Sequence, residues 1–426
     1  MQNKQEIATR YKINSARLMT RLQDLAKIGQ NTAGGIDRQL ASTADAEARK
    51  WLIDCWQNEL GLLVKIDPIA NLWAENPKSN TSNKPIVLGS HHDTVPNGGM
   101  FDGALGVLMA TEVMQTLLEN QVPLHHPLKL VSFTGEEPNS FAVSTLGTKV
   151  LSGRLQTDDL LQIKDRNTGE SLQSAISRLG GDILQADAAR LPPDSIAGFL
   201  ECHIEQGRRL FDRQDAVAAV TCITGIYREI ITIIGEANHA GTTQLENRKD
   251  ALNAAAEVCL AVEDIMRERA FEDVAATIGR IFVEPNASNI IPGTTVLTLD
   301  LRTADPQKRQ QALKKLGGSL QEIAARRKIR IDRKVNLDQP EMPMDPLVID
   351  SLREAAVASG ENSRLLVSMA GHDAANMARL TKAGMLFVQS VDGYSHCPQE
   401  HTHETEIITA ANVMLDAILL LDRRLA

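Results

Sequence analysis

Aromatic residues are scarce in this 426-residue chain, at 3%. A platform that stacks single-stranded nucleic acid needs several of them along a basic groove. The formal net charge is −9, which argues further against a polyanionic partner. Cysteine is equally sparse. Cys55, Cys202, Cys222, Cys259 and Cys397 are scattered, odd in number and without a Cys-x-x-Cys pair. That excludes a disulfide framework and a cysteine-rich structural zinc site, and leaves reduced thiols in a cytosolic protein. No segment approaches the ~20 apolar residues that span a bilayer, and Met1 to Leu22 lacks the apolar core of a signal peptide. Internal repeats and low-complexity tracts are also missing. The expectation is a cytoplasmic protein that binds neither nucleic acid nor membrane. An anionic ligand would need a local cation.

The length exceeds what one hydrophobic core usually serves, so two domains are expected. Residues about 3–30 and 46–60 read as helices, the second with Ala48, Trp51, Leu52 and Cys55 on one face. A pattern then recurs: a short apolar run ends and a chemically rich loop follows. Pro85-Ile86-Val87-Leu88 leads into His91, and Leu128 to Phe133 into Glu136-Glu137. Ala197 to Leu200 leads into His203, and Met385 to Val388 towards His396. Helical stretches such as Ala104 to Leu118 intervene, which predicts an α/β sheet covered on both faces. Ligands in such sheets bind beyond the carboxyl ends of the strands, where these residues stand. Between about 216 and 333 the order becomes β-α-β-β-α-β, that of a ferredoxin-like unit. The reading is a catalytic domain of residues 1–215 and 334–426, with residues 216–333 inserted as an α+β lid or dimerisation domain.

Five short motifs carry potential metal ligands. They are Gly89-Ser90-His91-His92-Asp93, Met100-Phe101-Asp102-Gly103, Thr134-Gly135-Glu136-Glu137, His203-Ile204-Glu205-Gln206-Gly207 and Tyr394-Ser395-His396-Cys397-Pro398. Three histidines, one aspartate and one of two adjacent glutamates can hold two divalent cations with a carboxylate between them. The spare glutamate can act as a base, so the set points to metal-assisted hydrolysis. Asp102 is short enough to reach both ions, and Gly98, Gly99 and Gly103 allow a tight approach. Asp93, two residues after His91, is placed to orient that imidazole. His92 reads as a packing or pocket-wall residue, and His125, His126, His401 and His403 as surface residues. Any one motif alone is commonplace; their joint placement at strand ends is not.

Together the motifs resemble the dinuclear-metal amidohydrolases that include N-carbamoyl-L-amino-acid hydrolases, allantoate amidohydrolases and β-ureidopropionases, within the wider superfamily of aminoacylases and carboxypeptidase-G-like peptidases. The likeness runs from Ile13-Asn14 to the C-terminal helix. It implies a mixed-sheet, metallopeptidase-like catalytic domain. His91, Asp102 and His203 would bind one ion, and Asp102, Glu137 and His396 the other, with Glu136 as general base. Zinc or manganese is implied, with cobalt or nickel accepted by the same ligands. His203 favours the carbamoyl and ureido branch, because aminoacylase and peptidase relatives generally place a carboxylate there.

Further matches fall in the expected insert. In Gly235-Glu236-Ala237-Asn238-His239-Ala240-Gly241, the resemblance gives His239 the oxyanion, across a homodimer interface. Asn289 of Ala287-Ser288-Asn289-Ile290-Ile291-Pro292 and Arg302 of Leu299-Asp300-Leu301-Arg302 would bind the substrate carboxylate. Gln206 would contact the ureido group, and Gly371 of Ala370-Gly371-His372-Asp373-Ala374 would lie beside the substrate. Two departures bear on the pocket. Pro138-Asn139-Ser140-Phe141 stands where relatives carry Gly-x-Arg-Phe, and Met369 replaces a small residue. The expected reaction is hydrolysis of a carbamoyl C–N bond in a small anionic substrate. Allantoate, β-ureidopropionate and, more distantly, acylated amino acids or dipeptides are the alternatives.

Overall fold

Four apolar segments that end in reactive loops form the parallel centre of one sheet in the computed structural model, which describes residues 11–79 and 82–426. The strands run in the order Leu63–Ile66, Leu72–Glu75, Leu128–Phe133, Ile86–His91, Gly198–Ile204, Ala383–Val388 and Val217–Ile223. Two short strands, Met342–Pro343 and Leu365–Ser368, bring the sheet to nine. The middle four are mutually parallel, and Leu63–Ile66 with Leu72–Glu75, Leu72–Glu75 with Leu128–Phe133, and Ala383–Val388 with Val217–Ile223 pair antiparallel. Ile86–His91, Gly198–Ile204 and Ala383–Val388 are buried along their whole length, as strands covered on both faces must be.

Helix Ala104–Glu119 is apolar almost all round and packs on the central strands. Helices Ser15–Lys27, Pro346–Ala358 and Glu404–Leu425 share its core. Residues 3–10 of the expected N-terminal helix lie outside the described residues. The second expected helix, 46–60, starts earlier and changes form: Thr43–Asp54 is α-helical, and Cys55–Glu59 widens into a π turn.

The chain divides into two compact units: Met1–Thr221, Pro343–Leu366 and Gly371–Ala426 make one, and Cys222–Met342 with Val367–Ala370 the other. The boundaries at 216 and 333 move because residues 217–219 pair with Ala383–Val388, and Arg330–Gln339 is one uninterrupted strand.

The smaller unit holds a four-stranded antiparallel sheet ordered Arg330–Gln339, Gly225–Ile234, Thr294–Thr303 and Ala275–Glu284. Helices Ala251–Arg267 and Pro306–Arg327 cover one face. Their N-termini are capped by Asp250 and by Asp305, the latter followed by Pro306 at the first helical position. This is the expected ferredoxin-like order. Tyr227, Ile231, Ile233, Leu297, Leu299 and Leu301 point into the helices. By the period of two, Arg228, Asp300 and Arg302 lie on the other face.

One buried charge in the larger unit is tied on several sides. Asp45 receives Arg49 Nε at 2.8 Å and lies 2.8 Å from His92 Nε2, whose Nδ1 is 2.6 Å from Ser132 Oγ. His92 is thus a packing residue. Burial opposes the Asp45 charge, but Arg49 and His92 hold its carboxyl below the usual carboxylate range. His126 departs from the surface reading: it is buried, with Nδ1 2.8 Å from the Lys84 carbonyl oxygen. Replacing Asp45 by Ala would strand the Arg49 guanidinium and the His92 ring. Urea unfolding should show a loss of about 3–5 kcal/mol; a loss under about 1 kcal/mol would mean that water enters freely.

Candidate metal centre and active site

His91 is the last residue of its strand, and His203 is the penultimate residue of the neighbouring parallel strand. Their ring centroids lie 5.7 Å apart. Main-chain carbonyls turn both rings: His91 Nδ1 is 3.0 Å from the Asp93 oxygen, and His203 Nδ1 is 3.0 Å from the Ile204 oxygen. A carbonyl only accepts, so Nδ1 carries the proton in each neutral ring, and the Nε2 lone pair is free. Both Nε2 atoms face Asp102 Oδ1, at 3.4 Å from His91 and 3.3 Å from His203. Gly103 makes this approach possible. Its φ is +65°, and a Cβ there would meet the His91 ring at 2.3 Å.

The other Asp102 oxygen faces the C-terminal loop. His396 Nε2 is 3.5 Å from Asp102 Oδ2 and 3.4 Å from Glu137 Oε1. His91, Asp102 and His203 thus bring three ligand atoms within 4.8 Å of one another, as do Asp102, Glu137 and His396. Asp102 belongs to both sets. Glu137 Oε1 is buried and accepts no hydrogen bond, an orphan that a cation would satisfy. Neutral imidazoles, carboxylates and a shared aspartate are a donor set that fits two divalent ions.

Asp93 faces His91 with both its main chain and its carboxylate. Its main-chain oxygen, not its carboxylate, makes the closer contact with His91; Oδ1 stands 3.6 Å from Nδ1. The carboxylate accepts the main-chain N–H groups of Glu136 at 3.2 Å and Glu137 at 3.1 Å. It therefore fixes the glutamate pair. Glu136 Oε2 lies 3.9 Å from His91 Nε2. Burial, with Glu137, Asp373 and Asp93 as like charges, outweighs His91 and holds the Glu136 pKa well above its ordinary value. Gln206 Nε2 donates to Asp102 Oδ2 at 2.7 Å, while its Oε1 is buried without a partner.

Within the smaller unit, Asn238–His239 pairs with Ile290–Ile291, and the Ala240 N–H donates to the Asn289 carbonyl at 2.9 Å. Neighbouring turns of chain thus present His239 and Asn289, both exposed. The N–H groups of Gly241 and Thr242 donate to His239 Nδ1 at 3.1 and 3.2 Å. Nδ1 is therefore an acceptor, and in the neutral ring the proton sits on Nε2. Arg302 is held edge-on by Asp300, with Nε 2.8 Å from Oδ1, and its Nη1 donates to the Met369 carbonyl at 2.9 Å.

The profile of peptidase family M20/M25/M40 matches residues 87–420. An N-carbamoyl-L-amino acid amidohydrolase of Geobacillus stearothermophilus is 33% identical over 406 residues, 95% of this chain and 98% of the relative. The ureidoglycolate hydrolase of Arabidopsis thaliana is 30% identical, over 96% of this chain and 87% of its own. A crystal structure of a hydantoinase/carbamoylase-family amidase from Burkholderia multivorans superimposes with a TM-score of 0.88 at 31% identity, covering 96% of this chain and 98% of that one. The chain belongs to peptidase family M20/M25/M40. Within that family it is a hydantoinase/carbamoylase-type amidohydrolase.

Four acidic or basic groups of this amidohydrolase escaped the sequence reading of the site. Glu201 accepts Ser90 Oγ at 2.6 Å and the Ala374 N–H at 2.9 Å. Asp373 accepts Thr148 Oγ1 at 2.6 Å, and burial together with Glu201 pushes its carboxyl up to about 8. His372 is buried, its ring centroid 4.5 Å from that of His203. Burial and His203 keep its pKa far below the ordinary value, so it is neutral. Glu400 completes the group. The signals were present in Gly371-His372-Asp373 and in a glutamate four residues after His396, but no spacing rule distinguishes them. At Gly371 itself a Cβ would meet open space. In the departing segment, Asn139 Nδ2 donates to the carbonyls of Glu137 and Val143 at 3.0 and 2.7 Å, so this residue ties down the loop behind the glutamate pair.

Metal loading should release protons. Burial and Asp102 push the Glu137 carboxyl up to about 8, and Asp102, against burial, pushes His396 up to about 9. At pH 7 both hold protons in the metal-free chain, and a cation must displace them. Affinity for zinc should therefore rise with pH until both groups have lost their protons, at about 9. Calorimetric titration in buffers of different ionisation enthalpy checks this; heats independent of the buffer would contradict it.

Proposed function

We propose that this amidohydrolase hydrolyses the carbamoyl C–N bond of an N-carbamoyl amino acid, giving the amino acid, carbon dioxide and ammonia. The observation that carries the reading is the buried His203, its Nε2 aimed at the shared Asp102, where peptidase-type relatives carry a carboxylate. The 33% identity to a carbamoyl amino acid amidohydrolase over 95% of the chain supports it. Two divalent ions, held by His91, Asp102 and His203 and by Asp102, Glu137 and His396, would polarise the attacking water and the carbonyl.

The chain's own groups do the rest. Glu136 takes a proton from the water and later delivers it to the leaving nitrogen; its raised affinity for protons suits both steps. His239 donates its Nε2 proton in a hydrogen bond to the oxyanion, in a homodimer formed through the inserted unit. Arg302 and Asn289 bind the substrate carboxylate. The Asp300 carboxylate occupies one edge of the Arg302 guanidinium, leaving other N–H groups for the substrate. Gln206 and Gly371 lie beside the ureido group.

A second reading is a ureido acid such as ureidoglycolate, supported by the plant relative at 30% identity. Ammonia release from N-carbamoyl-L-amino acids, ureidoglycolate, allantoate and β-ureidopropionate, with acetylated amino acids assayed for free amine, separates the readings. Turnover of N-carbamoyl amino acids alone supports the first. Cleavage of acetyl amides without any ureido compound overturns both. In the active substrate's assay, Glu136→Gln should lower kcat by about 10²–10⁴-fold while both ions stay bound. Near-parental turnover would remove Glu136 from the role of base.

A further inference from the structure

Glu400 is 5% exposed and reaches across to a segment about 300 residues away in the chain. Its Oε1 accepts the main-chain N–H of Phe101 at 2.9 Å and that of Asp102 at 3.0 Å. Its Oε2 lies 3.2 Å from Ser395 Oγ, which is itself 3.1 Å from Asp102 Oδ2. The Glu400 N–H closes a turn onto the Cys397 carbonyl at 3.1 Å, so the carboxylate and His396 belong to one short loop. Gly99 shows how tightly this is built: a Cβ there would stand 2.2 Å from the Glu400 carboxyl carbon.

We infer that Glu400 is a positioning residue that clasps the Asp102 loop to the His396 loop and so sets the spacing of both cation sites. The inference rests on the reading of Asp102 as the shared ligand. A buried carboxylate next to Asp102 is costly unless something repays it. Two charge-assisted N–H bonds ahead of helix Ala104–Glu119 do so, on the side where a helix favours negative charge. Glu400 belongs to neither group of convergent ligand atoms, and its oxygens face Phe101, Asp102 and Ser395 instead. What it controls is where the Asp102 main chain stops, and therefore where Oδ1 and Oδ2 lie relative to His91, His203 and His396. The role depends on an accepting oxygen of the right reach, not on charge. A glutamine keeps that oxygen; an alanine does not.

Two measurements test the clasp. Hydrogen exchange of the Phe101 and Asp102 amides in metal-free protein reads the contact itself, and chelator competition with zinc and with manganese reads its consequence. Glu400→Ala should speed exchange at both amides and weaken both cation sites by about tenfold or more. Glu400→Gln should stay within about threefold of the parent, and His396→Ala should weaken one site only. Parental affinity at both sites in Glu400→Ala, or a Glu400→Gln as impaired as the alanine variant, overturns the inference. If Glu400→Ala does not fold, Gly99→Ala, which drives a methyl group into the same carboxylate, must weaken both sites; unchanged affinity there overturns it equally. A parent protein that takes up neither ion refutes the ligand assignment instead, and the exchange data still report on the clasp.

Discussion

Everything in the larger unit is arranged around one carboxylate with too many neighbours. Asp102 is buried and faces three imidazoles, with Glu137 and Glu400 close by. Carboxylates packed this densely cannot all be ionised without compensation, and the molecule shows the strain as displaced proton affinities: Glu137 rises to about 8 and Glu400 to about 7. Protons can supply the missing positive charge, and so can two divalent cations. A site that must choose between them would bind metal in competition with protons, and Glu136 is already poised to hold one.

The fold makes that crowding tolerable by using main-chain groups where side chains would add more charge. Carbonyls of Asp93 and Ile204 set the histidine tautomers, and N–H groups receive the Asp93 and Glu400 carboxylates. These groups come free at the ends of parallel strands and at the start of a helix, where the hydrogen-bond ladder runs out. The chemistry sits there because that is where a sheet covered on both faces still has main chain to offer.

The smaller unit follows a different rule. Its sheet buries alternate residues under two helices and leaves Arg228, Asp300 and Arg302 on the other face. Asp300 is paired with both arginines, at 2.6 Å from Arg228 and 2.8 Å from Arg302. The triad carries one net positive charge, a local excess of cation in a chain whose formal net charge is −9.

The sequence alone determined the element order, because periodicity and buried apolar runs are local properties. The alternation of strands and helices, the β-α-β-β-α-β insert and the loops that carry the candidate ligands were legible for that reason. His91, Glu136, Glu137, His203 and His396 could be named as candidates because each stands in a motif beyond an apolar run, and Asp102 because of the glycines around it. Only the tertiary structure decided what those groups rest on. Glu400 lies 298 positions from the amide of Asp102, Asp373 lies 225 from Thr148, and the Asp93 carboxylate turned out to hold the glutamate pair. Hydrogen bonds between distant segments leave no periodic trace in a chain, since they depend on where folded strands end in space, not on spacing along the sequence.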